Sequence, residues 1–227
     1  MHDRLLRWQW HAETVFNVCP GCGRYSDEKG IDPSGPFAIC RYCGHRQRFV
    51  RLPLFIVTGA SGTGKTSTAL RLAADTRDYV CLDGDVLWRS EFDAPEDGYQ
   101  RFRNLSLRIA KNVAQAGRPV VLMVGGIPEQ FEACPERRYF SELHYLALVC
   151  DDEVLIGRLT ARPAWRKSGF EAYIGQERRF NAWLRENGPN TLPPMALLET
   201  TAISEEDTAR RVAEWIRAAP LSERGAP

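Results

Sequence analysis

The sequence predicts an α/β protein: a five-stranded parallel sheet with helices on both faces, preceded by a small N-terminal module folded around a metal. Three observations predict it. From Leu54 onward, five short apolar runs alternate with stretches of helical periodicity, the pattern of a parallel sheet. A glycine-rich loop joins the first run to the first helix. Upstream lie two Cys-x-x-Cys pairs, each followed by glycine.

The 227 residues suffice for one α/β domain and an appendage, and a hydrophobic content of 44% suits an ordinary core. Thirty basic residues against 29 acidic ones call for neither nucleic acid nor membrane as partner, while leaving room for a local basic patch. No apolar run approaches membrane-spanning length, and the N-terminus shows no signal-peptide core. Seven cysteines in such a chain read as metal ligands or free thiols, with the cytoplasm as the expected compartment.

Residues 1–52 read as a first module. Its arm is basic and aromatic (Arg4, Arg7, Trp8, Trp10, His11, Phe16), with the Trp rings expected to cap the cysteine-bearing part. Cys19-Pro20-Gly21-Cys22 and Cys40-Arg41-Tyr42-Cys43 then supply four sulfurs at the spacing of a tetrahedral Zn²⁺ site. Gly23 and Gly44 suit the tight knuckles behind each pair. His45 is a spare ligand that four sulfurs make unnecessary. The 17-residue insert from Gly23 to Ile39 should be a hairpin-like excursion, with short strands at Phe37–Ile39 and Gln47–Val50. The region resembles a zinc ribbon, and the metal would be structural. Redox dithiols or unrelated buried cysteines are the alternatives.

Residues 53–219 read as the main domain. Leu54–Thr58 is its first buried strand, and a helix runs from Lys65 to Asp75. Between them Gly59-Ala60-Ser61-Gly62-Thr63-Gly64-Lys65-Thr66 fits G-x-x-x-x-G-K-[ST], the phosphate-cradling P-loop. Its glycines let backbone amides turn toward phosphate oxygens, and the helix N-terminus adds partial positive charge. Lys65 would reach the β- and γ-phosphates of ATP, and the Thr66 hydroxyl would ligate Mg²⁺. Tyr79–Leu82 is the second strand and delivers Asp83-Gly84-Asp85 to a strand end, where open α/β sheets place ligands. One carboxylate there can take a proton from a hydroxyl; the other can hold a magnesium-bound water. The alternative is an Asp-Gly turn with a solvated cap.

Val86–Pro95 reads as a loop or short helix, in which Trp88 and Arg89 form a substrate wall. Residues 97–116 read as a long helix carrying Arg101 and Arg103, stopped by Gly117. Pro119–Val124 is the third strand, ending at Gly125-Gly126-Ile127-Pro128. Many P-loop enzymes place a magnesium-holding aspartate here, and its absence argues against a motor or switch. Leu143–Val149 is the fourth strand, with His144 a sheet residue rather than a catalyst. Asp151 or Asp152 caps the next helix, and Arg158, Arg162 and Arg166 belong to a basic lid that would close on the transferred phosphoryl. A helix over Phe170–Asn187, a fifth strand at Met195–Glu199, the Thr200-Thr201 loop and a helix capped by Ser204 complete the domain. Residues 220–227 read as a flexible tail.

From Leu54 to Ala218 the chain resembles small P-loop kinases of the nucleoside-monophosphate-kinase-like group. The glycine loop, Asp83-Gly84-Asp85, the Arg158…Arg162…Arg166 lid and the Thr200-Thr201 loop carry the resemblance. Asp-Gly-Asp is most similar to adenylyl-sulfate and gluconate-type sugar kinases, in which the carboxylates sit beside the accepting hydroxyl. Gly125-Gly126-Ile127-Pro128 resembles the Asp-Gly-Phe-Pro turn of adenylate kinases without its aspartate. The resemblance implies ATP-dependent transfer to a small-molecule hydroxyl. Asp85, or else Asp83, would be the base, Lys65, Arg162 and Arg166 would act on the phosphoryl, and Arg158, Thr200 and Thr201 would help hold the nucleotide. Trp88, Arg89, Arg101 and Arg103 would contact the acceptor. Two alternatives stay open: a polynucleotide 5′-hydroxyl kinase whose ribbon grips the strand, and a nucleotide-binding interaction protein without kinase activity.

Overall fold

A computed structural model describes residues 16–74 and 78–219. The basic, aromatic arm before Phe16 and the tail from Pro220 lie outside them. The chain divides into two compact units, residues 1–49 and 50–227.

In the first unit, strands β1 (Gly30–Asp32), β2 (Phe37–Ile39) and β3 (Arg46–Arg48) form an antiparallel sheet in that order. The excursion between the knuckles is therefore a hairpin, as its Gly and Pro content predicts. Such short strands bury little apolar surface, and a polar interior contact helps them. Lys29 is buried, with its ammonium donating to the Phe16 carbonyl and to Gln47 Oε1.

In the second unit the elements run β4 (Leu54–Gly59), α1 (Lys65–Ala73), β5 (Val80–Asp83), α2 (Gln100–Ala114), β6 (Val120–Met123), α3 (Pro128–Glu132), β7 (Leu143–Val149), α4 (Asp152–Thr160), α5 (Glu171–Asn187), β8 (Met195–Glu199) and α6 (Glu205–Ala218). The sheet order is β5-β6-β4-β7-β8, and every pairing is parallel. Strand β4 is central and buried along all six residues, which is why its sequence is a continuous apolar run. Alternate side chains serve opposite faces. Phe55, Val57, Val121 and Leu148 pack with Leu72 of α1 and Val212 of α6. Leu54, Ile56, Leu122 and Ala147 pack with Phe102 and Leu107 of α2 and Leu184 of α5.

The helix read over 97–116 begins only at Gln100, because Gly98 and Tyr99 both adopt left-handed backbone (φ 61° and 58°). The stretch read over 86–95 as a loop or short helix carries short 3-10 turns at Gly84–Leu87, Ser90–Phe92 and Pro95–Asp97. No helix among the described residues is long and apolar enough to cross a membrane.

Candidate active site

Parallel strands carry their functional loops at their C-terminal ends, and the central strand β4 places its loop where the connections diverge to either side. The loop following β4 needs its glycines. Gly59, Gly62 and Gly64 have φ of 149°, 94° and 107°, and a Cβ on Gly59 would meet the Leu148 carbonyl and Thr63 Oγ1 at 2.5 Å. This tight turn leaves room on its inner side for phosphate oxygens. Lys65 Nζ donates to the Gly59 carbonyl at 2.6 Å and the Ala60 carbonyl at 3.1 Å. Burial pushes the Lys65 pKa below its ordinary value, while Asp85 and Glu177 oppose the shift.

Two cavities open on the loop. The first, about 860 Å³, is lined by Ser61 through Thr66, by Arg158, Arg162 and Arg166, by Trp165 and by Thr200. The second, about 850 Å³, is lined by Gly59, Tyr99, Arg103, Gly125, Gly126 and α5 residues including Glu177 and Trp183. Five residues line both: Ser61, Lys65, Asp85, Trp88 and Tyr173. The first cavity has the cationic, amide-rich character of a polyphosphate site. The second is aromatic, with Trp88 set edge-on to Phe102 at 5.1 Å and 5.9 Å from the Tyr99 ring.

The two aspartates part company here. Asp83 Oδ1 accepts the Asp85 amide at 3.0 Å, capping the 3-10 turn over Gly84–Leu87, and Asp83 lines neither cavity. Asp85 is exposed and lines both. The arginines separate too. Arg103 is buried and points into the second cavity, donating to the Gly98 carbonyl; its Nε is the one arginine nitrogen among the described residues that is buried without a hydrogen-bond partner. Burial pushes its pKa down, opposed by Cys134, Asp97 and Tyr99. Arg101 and Arg89 are exposed and line neither cavity, Arg101 because it lies on the outward face of α2. Gly126 explains why glycine follows β6: a Cβ there would stand 2.8 Å from Arg103 Nε.

Arg162 Nη1 donates to Ser61 Oγ at 2.8 Å, and Arg166 stacks near Trp165, its guanidinium 5.3 Å from the ring centre. Arg158 is a strut. It donates to the Thr200 carbonyl at 2.9 Å and to Thr200 Oγ1 and the Gly62 carbonyl at 3.3 Å each, tying α4 to the loop and to the end of β8. Arg158→Ala is expected to cost about 1–3 kcal/mol of stability, read as a lowered denaturation midpoint; an unchanged midpoint would contradict the strut. Thr201 lines neither cavity; its hydroxyl bridges Glu199 Oε1 at 2.5 Å and the Asp151 amide at 2.8 Å. His144 sits on β7, stacked on Phe55 at 5.0 Å, also away from both cavities.

Helix α5 stands where the sequence predicts a helix, but its side chains toward the second cavity were not among the predicted site residues. Tyr173, Gln176, Glu177, Phe180 and Trp183 recur at helical spacing and form one wall of the second cavity. Glu177 Oε2 accepts a hydrogen bond from the Ser61 amide at 2.6 Å. Burial pushes the Tyr173 phenol pKa up.

In the first unit the sulfurs of Cys19, Cys22, Cys40 and Cys43 lie within 4.8 Å of one another. The Cys19–Cys43 and Cys22–Cys40 separations are 3.6 and 3.8 Å, close to the ~3.8 Å edge of a zinc–thiolate tetrahedron. Gly23 and Gly44 have φ of 69° and 71° and donate to the Cys19 and Cys40 carbonyls, closing each knuckle. The Tyr42 amide points at Cys40 Sγ at 3.4 Å, and this amide, with that of Cys43, holds the Cys40 pKa down to about 6. The donor set fits Zn²⁺, with four protein ligands leaving no open position. A chelator added to the full chain is expected to remove the metal and to strip hydrogen-exchange protection from residues 16–49, while β4, β6 and β7 keep theirs. Undiminished protection in 16–49 after metal loss would count against a structural role.

No protein-family model matches this chain, and no curated protein matches it in sequence. Solved structures match its fold. A sugar kinase from Janibacter sp. superposes with a TM-score of 0.56 at 18% identity, covering 75% of this chain and 96% of that one. A gluconokinase from Sinorhizobium meliloti gives 0.50 at 18% identity, covering 76% and 100%. A shikimate kinase from Acinetobacter baumannii, in complex with shikimate, gives 0.50 at 20% identity, covering 74% and 94%. The chain thus shares the fold of P-loop small-molecule kinases and adds to it a four-cysteine module.

Proposed function

We propose that this protein is an ATP-dependent, Mg²⁺-requiring kinase that transfers the γ-phosphoryl group to a hydroxyl of a small molecule. The observation that carries this reading is the shared lining of the two cavities. A cationic phosphate site and an aromatic-walled site meet at Ser61, Lys65, Asp85, Trp88 and Tyr173. A hydrolase needs only the first cavity and a water; a transferase needs both, joined where the group passes.

The loop amides, Lys65 and Arg162 hold the polyphosphate and spread the charge that develops on the phosphoryl oxygens. Arg166 adds to this from the lid. The Thr66 hydroxyl is a hard oxygen donor that would hold Mg²⁺, which would supply charge neutralisation when bound. Asp85 orients the acceptor hydroxyl and takes its proton. The hydroxyl oxygen then bonds to the γ-phosphorus as the bond from that phosphorus to the β,γ-bridging oxygen breaks, leaving ADP and a phosphate ester. Arg103 and the aromatic rings position the acceptor.

The test is a screen of sugars, sugar acids, nucleosides, nucleotides and oligonucleotides with ATP and GTP, read as nucleoside diphosphate release and mass gain of the acceptor. Lys65→Ala must abolish the transfer in a protein that remains folded. Diphosphate release that never yields a phosphorylated acceptor would overturn the reading.

One feature of the first unit favours a polynucleotide as the second reading of the acceptor. Tyr42 is 49% exposed, with the guanidinium groups of Arg24 and Arg41 at 5.0 and 5.7 Å from its ring centre, an arrangement on which a base can stack. Affinity for single strands that falls steeply with salt would support it. Salt-independent or undetectable binding would remove it.

A further inference from the structure

Ser61 is contacted by two side chains from distant parts of the chain: Arg162 on its hydroxyl and Glu177 on its backbone amide at 2.6 Å. The second contact is the odd one. A carboxylate is an anion, and amides of this loop are anion sites. Glu177 therefore takes up a donor that a phosphate oxygen would also seek. It does so from α5, in the wall of the second cavity, and lies close enough to Lys65 to influence its ionisation.

We infer that Glu177 is a specificity-determining residue of the donor site: a tethered anion that holds the Ser61 amide and yields it only to the terminal phosphoryl of a triphosphate. The inference rests on the kinase reading above. Ser61 lines both cavities, so its amide lies where the transferred group must stand, while Gly64 and Thr66, at the start of α1, line the first cavity alone. A diphosphate bound along α1 leaves the Ser61 amide to Glu177. A triphosphate must displace it. Small free anions compete poorly, because the carboxylate is held on the helix at high effective concentration. Once displaced, Glu177 faces the second cavity, where it is an added hydrogen-bond acceptor for a hydroxylated ligand. Arrival of the donor and readiness of the acceptor cavity are thereby linked through one side chain.

The size of the effect follows from the share of time the carboxylate spends on the amide. If it holds the amide about nine-tenths of the time, the apparent dissociation constant of a ligand needing that amide rises about tenfold. Glu177→Gln keeps the side chain's shape and a carbonyl oxygen for the amide but removes the charge. Glu177→Ala removes the group; Glu177 is only half-buried, on a helix, so the smaller residue is tolerated there.

The experiment is calorimetric titration of full-length wild type, E177Q and E177A with Mg²⁺ and either the β,γ-imido analogue of ATP or ADP, at fixed ionic strength. The expected result is binding of the triphosphate analogue about tenfold tighter in E177A and tighter by a smaller factor in E177Q, whose amide oxygen can still accept from Ser61, with ADP affinity within about twofold of wild type in both. Equal shifts for the two nucleotides, no shift, or weaker triphosphate binding would overturn the inference, the last pointing to a magnesium or acceptor ligand instead. Should E177Q fail to fold, E177A decides on the same criteria. Wild type that binds neither nucleotide overturns the kinase reading and this inference together. Wild type that binds both, with variants at parity, overturns this inference alone.

Discussion

Asp85→Asn is expected to lower turnover about 10²- to 10⁴-fold, the range for loss of a positioned general base, with little change in nucleotide affinity. The substitution should spare the fold. Asp85 is exposed, and its backbone is fixed by other groups: its amide is capped by Asp83, and its carbonyl accepts from the Trp88 amide at 3.1 Å. An asparagine side chain of the same size can still accept a hydrogen bond from the acceptor hydroxyl but cannot take its proton. The loss should therefore fall on turnover rather than on acceptor KM. Asp83→Asn is the discriminating control. Its amide oxygen can go on accepting the Asp85 N–H, so the turn stays capped and activity should fall by less than about tenfold. If Asp83→Asn proves the more damaging change, the base has been assigned to the wrong carboxylate. If neither matters, proton transfer to a side chain is not limiting.

The contrast between these two aspartates shows what the sequence could and could not convey. The glycine loop, the two knuckles and the strands were legible because each is local. Gly59, Gly62 and Gly64 sit where positive φ is required, Gly23 and Gly44 close four- or five-residue turns, and β4 is apolar because it is buried on both faces. Which carboxylate faces the cavities depends on a capping bond two residues long that either residue could have made. Arg101 and Arg103 differ by two positions, half a helical turn, and the register of α2 decides that one is solvated and the other buried. That register was hidden by the start of the helix, where left-handed Tyr99 breaks a run that reads as helical. Least legible was the part that α5, itself expected as a helix, plays in the site. Tyr173, Glu177 and Phe180 look like an ordinary amphipathic stripe, and the bond that gives the stripe its interest joins residues 116 positions apart. Long-range contact of this kind leaves no trace in spacing.

Glu136→Ala is expected to cost about 3–5 kcal/mol of stability, and through α2 to disturb the second cavity. Glu136 is 2% exposed and Lys111, whose ammonium it accepts at 2.8 Å, is 1% exposed; Arg108 Nε donates to the other carboxylate oxygen at 3.0 Å. Both bases lie on α2, and Glu136 lies on the 3-10 turn over Pro135–Tyr139, so the cluster clamps the middle of the helix whose first turns carry Phe102 and Arg103. Removing the carboxylate deprives a buried ammonium of its counter-charge, which costs far more than the pair's net contribution. The pair itself was taken out of water to form, so its own worth is small. Replacing both partners, as in Lys111→Met with Glu136→Leu, should therefore recover most of the loss, leaving stability within about 1–2 kcal/mol of wild type. Denaturant melts of the two single variants and the double variant measure this directly. Additive losses would mean that the cluster stabilises through shape rather than charge. A double variant that regains stability but not acceptor affinity would show that the clamp sets the position of Arg103 as well as holding the fold.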